Sequence, residues 1–214
     1  MRILVTAGPT REPIDAVRFI SNRSTGRMGY AIARAGAGRG HEVLLVSGPV
    51  SLTSPSGVRV VRLTTAAEMQ KAVHDNIVWS GALVMAAAVS DWRPRTVSSR
   101  KLKKNEIHGK LLLEKTPDIL GSVLEQKGNR LYVGFAAETE NVIEQARRKL
   151  LAKRLDMIVA NDVTRPDSGF EVDTNKVTLL TADGGIEELP LMTKDEVAGK
   201  IVDWIEKNVE GISG

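Results

Sequence analysis

The run ALVMAAAV at residues 82–89 constrains the fold more than any other stretch, because it contains no polar residue. A strand with one face in water alternates apolar and polar residues, whereas a strand covered on both faces is apolar throughout. The run therefore predicts a central strand of a parallel sheet that has helices on both faces. The composition agrees with this α/β class, because 42% of the residues are hydrophobic but only 4% are aromatic.

Strand and helix patterns alternate on both sides of this run. Apolar or alternating stretches predict further strands at 2–7, 41–48, 57–63, 131–138 and 156–162. Periodic apolar spacing predicts helices at 27–39, 65–78, 117–127 and 139–155. Thr64 or Thr65 and Thr139 are predicted helix caps, and Pro117 is predicted at the first position of its helix. This order predicts a mostly parallel sheet, flanked by helices, with right-handed crossovers.

The C-terminal part of the chain has a different pattern. Two alternating runs flank Asp183-Gly184-Gly185 and predict an antiparallel hairpin at 176–191. An amphipathic helix is predicted at 194–209. No Pro-, Gly- or Ser-rich linker divides the chain, so residues 1–214 are predicted to form a single domain.

Several classes of protein are disfavoured by the sequence. The chain has no Cys, which excludes disulfides and thiolate metal sites. No segment approaches the ~20 apolar residues that span a bilayer, and the first residues do not resemble a signal peptide, so we expect a cytoplasmic location. The first strand leads into neither G-x-G-x-x-G nor G-x-x-x-x-G-K-[ST], which disfavours a standard NAD enzyme or a P-loop ATPase.

The carboxyl ends of the predicted strands indicate where a ligand would bind, because open parallel sheets bind ligands outside these ends. Most of these ends are polar or rich in glycine: Thr6–Thr10, Ser47–Pro49, Ala87–Asp91, Phe135–Glu138 and Ala160–Asp162. Asp91 follows the most apolar strand, where a carboxylate could hold a ribose hydroxyl or a metal ion. A turn residue bonded to its own backbone would give the same pattern.

Positive charge is concentrated in the stretch RKLKK, Arg100–Lys104. The chain has a formal net charge of +4, and this stretch alone contains four cations, so the rest is formally neutral. Such a concentration favours a compact anionic ligand over a nucleic acid, whose partners spread their basic residues along a face. Polar neighbours such as Ser98 and Asn105 predict a flexible lid at about 92–115 that closes on phosphates. A charged loop in solvent is the alternative.

Two further polar segments have both a functional and an ordinary interpretation. The segment Ser21–Gly29 precedes a predicted helix, whose first N–H groups could bind an anion. A simple helix-capping loop has the same composition. Lys149 and Lys153 lie four residues apart on one helix face, where they could bind an anion or simply face solvent near the helix end.

Seven sequence blocks, in their order along the chain, resemble the phosphopantothenoylcysteine synthetase family. The resemblance is in particular to the bacterial form that is often fused behind a flavin-dependent decarboxylase. The blocks are LVTAGPTREPIDAVRFISNRSTGRMGYAIA, LVSGPV, AAAVSDWRP, KLKK, TPDIL, VGFAAET, and IVANDV with a following GF. The resemblance covers about residues 2–205. Thr116 and Thr25 depart from it, since Asn and Ser are common at these positions in relatives.

The resemblance implies a ligase of coenzyme A biosynthesis that joins 4′-phosphopantothenate to L-cysteine with CTP, accompanied by Mg²⁺. The phosphopantothenate carboxylate would attack the α-phosphate of CTP, releasing pyrophosphate and giving an acyl cytidylate. The cysteine amine would then attack the activated carbonyl and release CMP. Because this chemistry needs positioning and positive charge, the lack of a Ser-His-Asp or Cys-His constellation agrees with it.

The resemblance also implies a Rossmann-like domain with a small antiparallel projection that pairs with a second subunit in a homodimer. The hairpin at 176–191 is one candidate for this projection. The chain could be a domain cut from a bifunctional protein or a free-standing synthetase, and a fused or associated decarboxylase is a further expected partner.

The same resemblance assigns roles to particular residues. Asn22 is expected to bind the carbonyl of the acyl intermediate. Lys101 is expected to contact the nucleotide phosphates and to help exclude water from that intermediate. The expected nucleotide-binding residues are Met85, Ala86, Ala87, Asp91, Lys101, Pro117, Asp118, Ile119, Leu120, Phe135, Lys149 and Lys153. No metal ligand is assigned.

Two other functions stay open at this point. An NAD(P)-dependent oxidoreductase could have a similar fold, although the dinucleotide motif is absent. A nucleic-acid-binding module could use Arg100–Lys104, and its binding to DNA or RNA would depend strongly on salt.

Overall fold

A computed structural model describes residues 1–107, 110–162, 164, 169 and 172–210. The strands, in chain order, are β1 (Arg2–Ala7), β2 (Arg11–Pro13), β3 (Phe19–Ser21), β4 (Glu42–Ser47), β5 (Val58–Arg62), β6 (Ala82–Met85), β7 (Trp92–Pro94), β8 (Leu113–Lys115), β9 (Leu131–Glu138), β10 (Met157–Asp162), β11 (Thr174–Asn175), β12 (Val177–Thr181), β13 (Ile186–Glu188) and β14 (Met192–Thr193). The helices are α1 (Arg27–Gly38), α2 (Ala66–Asn76), α3 (Lys104–Ile107), α4 (Ile119–Ser122), α5 (Val142–Ala152) and α6 (Lys194–Glu210).

Eight strands form the central sheet in the order β13-β12-β10-β9-β6-β1-β4-β5. The strands from β10 to β5 are parallel, and β12 and β13 join one edge antiparallel. The chain runs from β1 outward to β4 and β5 and then returns to β6, on the other side of β1. The carboxyl ends of β1 and β6 therefore flank a topological switch point, where open α/β sheets bind their ligands.

Helices cover both faces of this sheet. On one face, α1 and α6 pack against each other and against β1 side chains such as Ile3 and Val5. On the other face, α2, α4 and α5 pack on Leu4 and Leu83. All four residues of β6 are buried. The predicted α/β class with a mostly parallel sheet is confirmed, and so is a central strand within the run 82–89.

The end of that central strand was predicted wrongly, because β6 ends at Met85 and not at residue 89. The following chain pairs with the loop after β1 through an isolated parallel bridge between Ala88 and Pro9. The Ala88 N–H donates to the Gly8 carbonyl at 2.9 Å, and the Ala88 carbonyl accepts from the Thr10 N–H at 3.2 Å. The apolar residues after Met85 are thereby placed at the edge of the sheet rather than in its core.

The stretch at about 90–116 was predicted to be irregular, but it contains regular structure. Strands β7 and β8 form a separate two-stranded antiparallel sheet, and α3 is a single helical turn between them. An ion pair between Arg93 and Glu114, 2.8 Å apart, lies across the two strands. Cross-strand pairs of this kind stabilise short strands, and single-sequence patterns do not reveal them.

Two helix starts differ from the prediction. Asp118 caps α4, so Pro117 precedes the cap and does not occupy the first helical position. The helix ends at Ser122, because the next backbone N–H groups bond three residues back instead of four. Thr139 does not cap α5. The N-cap of α5 is Asn141, which has the left-handed conformation with φ 48°. Asn tolerates this conformation better than most residues do.

The C-terminal hairpin, formed by β12 and β13, extends the main sheet through the pairing of β12 with β10. Small antiparallel sheets separate from the main sheet are instead formed by β2 with β3, β7 with β8, and β11 with β14. Within the described ranges, no helix is both long and apolar enough to cross a membrane.

Candidate functional site

A cavity of about 900 Å³ opens at the switch-point edge of the sheet. The carboxyl ends of β6, β9 and β10 form its floor, and the first residues of α1 and α4 contribute to its walls. The side chains in its lining are mixed, with Lys149, Lys153 and Asp118 beside the apolar Phe135 and Met85. An amphipathic ligand that carries negative charge matches this lining.

The position of α1 at the cavity depends on Gly29. A Cβ atom at this residue would lie 2.5 Å from the Ala7 Cβ and 2.8 Å from the Thr6 carbonyl oxygen. Only glycine therefore lets the first turn of the helix approach β1 this closely. Gly26, just before the helix, has φ 79° and no side-chain cap bond. Residues 26–29 at this helix start line the cavity.

Asn22 reaches the cavity from the end of β3. Its side-chain amide donates to the Ala88 carbonyl at 3.0 Å, in the segment that follows β6. The neighbouring Ser21 hydroxyl donates to the Thr10 carbonyl at 2.8 Å and so holds the chain beside the switch point. The amide of Asn22 is thus oriented at the cavity wall, where it can also meet a ligand carbonyl.

Asp118 and Lys153 form an ion pair at the mouth of the cavity. The other carboxylate oxygen of Asp118 accepts from the Gly121 N–H at 3.0 Å and thereby caps α4. Burial raises the pKa of Asp118, but the hydrogen bonds from Lys153 and Gly121 outweigh it, and the net pKa is lowered. Asp118 is therefore ionised at neutral pH, and Lys153 joins α5 to α4.

Lys149 lies one turn before Lys153 on α5. Its ammonium group donates to the Phe135 carbonyl of β9 at 2.7 Å. Burial lowers the pKa of Lys149, and the nearby charge of Lys153 lowers it further, although the carboxylates of Glu138 and Asp91 act in the opposite direction. A buried ammonium group has lost the water that stabilises its charge. A bound anionic ligand would stabilise that charge instead.

Thr116 connects the segment after β6 with the start of α4. Its hydroxyl donates to the Ser90 carbonyl at 2.5 Å, and its N–H donates to the Asp91 carbonyl at 3.0 Å. The threonine that departs from the family pattern therefore makes specific contacts on the cavity wall.

The structure brings the predicted site residues together with one exception. Asn22 and all the predicted nucleotide-binding residues other than Lys101 line the cavity. Lys101 is exposed and does not line it; the neighbouring Leu102 backbone is bonded to Asp15 and Arg18. The role of Lys101 at the phosphates stays a prediction.

Two of the predicted strand ends are used for packing. The Gly48 N–H donates to the Ala7 carbonyl at 2.9 Å, and a Cβ atom at Gly48 would lie 1.9 Å from the Pro9 carbonyl oxygen. The loops after β1 and β4 are therefore in direct contact with each other. Glycine in these loops also fitted the prediction of a ligand site, but the close approach of the two loops explains it.

Several cavity residues were not predicted individually. Lys194 is buried at the start of α6 and donates to the carbonyls of Gly169 and Val172, and burial lowers its pKa. The buried Asn175 accepts from the Gly169 N–H at 3.3 Å. Lys115 lies at the end of β8. The sequence gives no signal for Lys194, since a lysine is common at the start of an amphipathic helix. Asn161 and Glu138 also line the cavity, and both belong to strand ends that the sequence indicated.

Comparisons with known proteins agree with this geometry. The family model for the DNA/pantothenate metabolism flavoprotein C-terminal domain matches residues 1–209. The chain is 47% identical over 204 residues to the "Coenzyme A biosynthesis bifunctional protein CoaBC" of Bacillus subtilis. The aligned region covers 95% of this chain and 50% of that protein. The protein of the same name from Escherichia coli K12 is 47% identical over 209 residues, covering 96% and 51%. The chain thus spans about half the length of the curated relatives it matches.

Solved structures show the same fold. A crystal structure of the C-terminal domain of CoaBC has a TM-score of 0.85 and 44% identity, covering 98% of this chain and 96% of that one. A Cab2 mutant in complex with phosphopantothenate-cysteine has a TM-score of 0.80 at 17% identity, and this likeness concerns the fold alone. With a family match along nearly its whole length, the chain belongs to the DNA/pantothenate metabolism flavoprotein C-terminal domain family.

Proposed function

We propose that this chain is a phosphopantothenate–cysteine ligase of coenzyme A biosynthesis, which uses CTP. The observation that carries the proposal is the cavity at the switch point, which is lined by Asn22 and by all but one of the residues predicted for nucleotide binding. Its family relatives in Bacillus subtilis and Escherichia coli, described as bifunctional coenzyme A biosynthesis proteins, support the same pathway.

The proposed reaction has two steps. In the first, a carboxylate oxygen of 4′-phosphopantothenate attacks the α-phosphorus of CTP, and pyrophosphate leaves with the electron pair of the broken P–O bond. In the second, the cysteine amine attacks the activated carbonyl carbon, loses a proton and forms the amide. CMP leaves with the former carboxylate oxygen. Both steps need charge stabilisation and orientation more than covalent help from the protein.

The cavity residues have separate roles in this proposal. Lys149 and Lys153 compensate the negative charge of the nucleotide. The Asn22 amide, held 3.0 Å from the Ala88 carbonyl, is placed to donate to the carbonyl of the acyl cytidylate. Lys101 is proposed to contact the phosphates when the Arg100–Lys104 stretch covers the cavity, which would protect the intermediate from water.

Mg²⁺ enters the proposal as part of the nucleotide substrate. Among the residues that the structure describes, no three His, Cys, Asp or Glu side chains form a cluster that could hold a metal ion. Mg²⁺ usually binds one or two carboxylates together with substrate phosphates. Asp91 and Glu138 line the cavity and offer such carboxylates.

We also propose a homodimer formed through the small antiparallel sheets. Phe19, Trp92, Leu112 and Leu113 on or beside β3, β7 and β8 are exposed, with 65% of Leu112 accessible. Apolar residues grouped on projecting strands are typical of a subunit interface. The hairpin at 176–191 is a weaker candidate for this contact, because β12 is already paired with β10. A flavin-dependent decarboxylase is the proposed second partner, fused or associated.

A nucleotide panel tests the proposed function. Phosphopantothenate and cysteine are mixed with each of the four NTPs, and pyrophosphate and the matching monophosphate are measured. We expect both products with CTP only. Pyrophosphate formation that does not require phosphopantothenate, or no turnover with any NTP, would contradict the proposal.

Ligand-dependent melting separates the proposal from the two alternatives. Ligands that bind only the native state raise the melting temperature. We expect CTP to raise it and NAD(P)H to leave it unchanged, which would exclude the oxidoreductase. Steeply salt-dependent binding to DNA that persists in Lys101→Ala would instead favour a nucleic-acid-binding module.

A further inference from the structure

The carboxylate of Asp15 is a buried junction between two elements that are distant in sequence. Its side chain has no accessible surface. One oxygen accepts from the Val17 and Arg18 backbone N–H groups at 2.9 and 2.8 Å. The other accepts from the Arg18 guanidinium at 3.0 and 2.5 Å and from the Leu102 N–H at 3.1 Å. The first four bonds fix the turn between β2 and β3, whereas the fifth reaches the cationic stretch.

The cationic stretch Arg100–Lys104 is held by its backbone. Besides the bond to Asp15, the Leu102 carbonyl accepts from the Arg18 guanidinium at 3.0 Å. Just before the stretch, the Ser98 N–H donates to the Ile14 carbonyl at 3.1 Å. Both polar groups of the Leu102 peptide are therefore occupied, while the side chains of Lys101 and Lys103 on either side remain exposed.

The same β2–β3 hairpin carries Asn22 to the cavity, directly after β3. Asp15 thus lies at the contact between the hairpin that orients Asn22 and the stretch that contains Lys101. A rigid contact at Leu102 limits how far Lys101 can move relative to the cavity. Positioned charges are effective in catalysis only when their supporting contacts fix them.

We propose that Asp15 is a positioning residue that anchors the cationic stretch through the Leu102 backbone and thereby fixes the point from which Lys101 reaches the nucleotide phosphates when the stretch covers the cavity. This inference rests on the proposed function for the part that concerns phosphates. Asp15 acts through Lys101 and touches no substrate. A carboxylate is required, because it accepts five N–H bonds and neutralises Arg18, which holds the pKa of Asp15 well below its usual range.

Asp15→Asn is the first test, because it replaces one acceptor oxygen by a donor of nearly the same size. The first measurement is the initial rate of trypsin cleavage after Lys103 and Lys104 in the full chain. We expect this rate to rise by about fivefold or more, since loss of the anchor increases local opening. Asp75→Asn, which removes an exposed carboxylate paired with Lys71, is the control and should leave the rate unchanged.

A double-mutant cycle with Lys101→Ala is the second measurement. If Asp15 acts through Lys101, Asp15→Asn should lower turnover by about tenfold in the parent chain but by less than about twofold in the Lys101→Ala background. An equal fall in both backgrounds would show that Asp15 only supports the hairpin, and the proposal would be wrong.

Leu102→Pro covers the case in which Asp15→Asn fails to fold. This variant removes the N–H that Asp15 binds, and it also fixes φ at residue 102 and restricts the backbone of Lys101. The bonds of Asp15 within the hairpin stay intact. We expect the same faster cleavage after Lys103 and Lys104. Wild-type cleavage in Leu102→Pro, or in a folded Asp15→Asn protein, would overturn the anchor. The cleavage measurement needs no nucleotide, so it judges the anchor even if the proposed ligase activity fails.

Discussion

At the scale of single residues, the cavity holds its charges in fixed places before any ligand binds. Lys153 is paired with Asp118, and Lys149 donates to the Phe135 carbonyl at 2.7 Å. Side chains that already have a partner lose little conformational freedom when the ligand arrives. The cations at the cavity wall are therefore preorganised, whereas Lys101 belongs to a stretch anchored beside the cavity.

The first prediction concerns Lys101. We expect Lys101→Ala to lower turnover by on the order of 10²-fold, because one donor to the phosphates in the transition state is lost. Lys71→Ala, at an exposed position on α2, is the matched control and should keep full turnover. The rate of pyrophosphate release measures both. Near-normal turnover of Lys101→Ala would remove the basis for a cationic cover.

Asn22→Asp is expected to impair the second step more than the first. The substitution removes the donor that now bonds to the Ala88 carbonyl and places a carboxylate beside the expected acyl phosphate. Pyrophosphate release and amide formation are followed in the same reaction. Asn76→Asp removes an equivalent amide-to-carbonyl bond on α2 and should affect neither step. A loss of the same size in both steps would contradict the role given to Asn22.

A third residue-scale prediction uses the lowered pKa of Asp118. Because the folded pKa lies below the ordinary value of 3.8, the stability contributed by its charge is present above pH 3.8 and is lost as the pH falls through the folded pKa. We expect Asp118→Asn to lower the free energy of unfolding by about 0.5 kcal/mol near neutral pH, since the pair is partly exposed and Asn still caps α4. Urea unfolding should show this difference shrinking below pH 3.8. A difference that stays constant with pH would assign it to packing instead.

At the scale of elements, the predictions from sequence were reliable where a strong apolar pattern coincides with burial. The buried strands β1, β4, β9 and β10 lie within one residue of their predicted bounds. The bounds failed where tertiary contacts decide, as in the segment after Met85, which bonds to the loop after β1. The bounds also failed at about 90–116, where β7 and β8 depend on a pairing across about 20 residues of sequence.

Site residues divide in the same way. Phe135 and Asn161 could be found because they lie in the last part of apolar strands, and Asp91 because it follows one. The carboxyl ends of these strands meet at one edge of a parallel sheet. Asn22, Pro117–Leu120 and Lys149 needed the family resemblance, since each has an ordinary structural interpretation by itself. Lys194 could not be found from either source, because its burial results from the packing of α6 beside the Gly169 carbonyl.

The close approach of α1 to β1 gives an element-scale prediction. Gly29→Ala should destabilise the fold by about 1–3 kcal/mol, because the added Cβ would overlap the Ala7 Cβ and the Thr6 carbonyl. Gly38→Ala, at the other end of the same helix, meets no atom within 4 Å and should stabilise it by about 0.5–1 kcal/mol. Chemical denaturation measures both variants. Equal effects of the two substitutions would contradict the packing described for α1.

At the scale of the whole molecule, one topological feature explains why the site lies where it does. The chain turns back from β5 to β6, so that the segment after β6, the start of α1 and the ends of β9 and β10 converge on one cavity. The β2–β3 hairpin, which precedes Asn22, contacts the cationic stretch Arg100–Lys104 through Asp15. The rest of the chain is formally neutral, so Arg100–Lys104 is the main concentration of positive charge in the sequence.

The proposed function requires that this cavity activates a carboxylate by transfer of a nucleotidyl group. Isotope tracing tests it most directly: phosphopantothenate labelled with ¹⁸O in its carboxylate is incubated with the chain, CTP and cysteine, and the products are analysed by mass spectrometry. We expect one ¹⁸O atom in each CMP and none in pyrophosphate, because the carboxylate oxygen leaves on the α-phosphorus. Label in inorganic phosphate together with CDP, or CMP that carries no label, would contradict it.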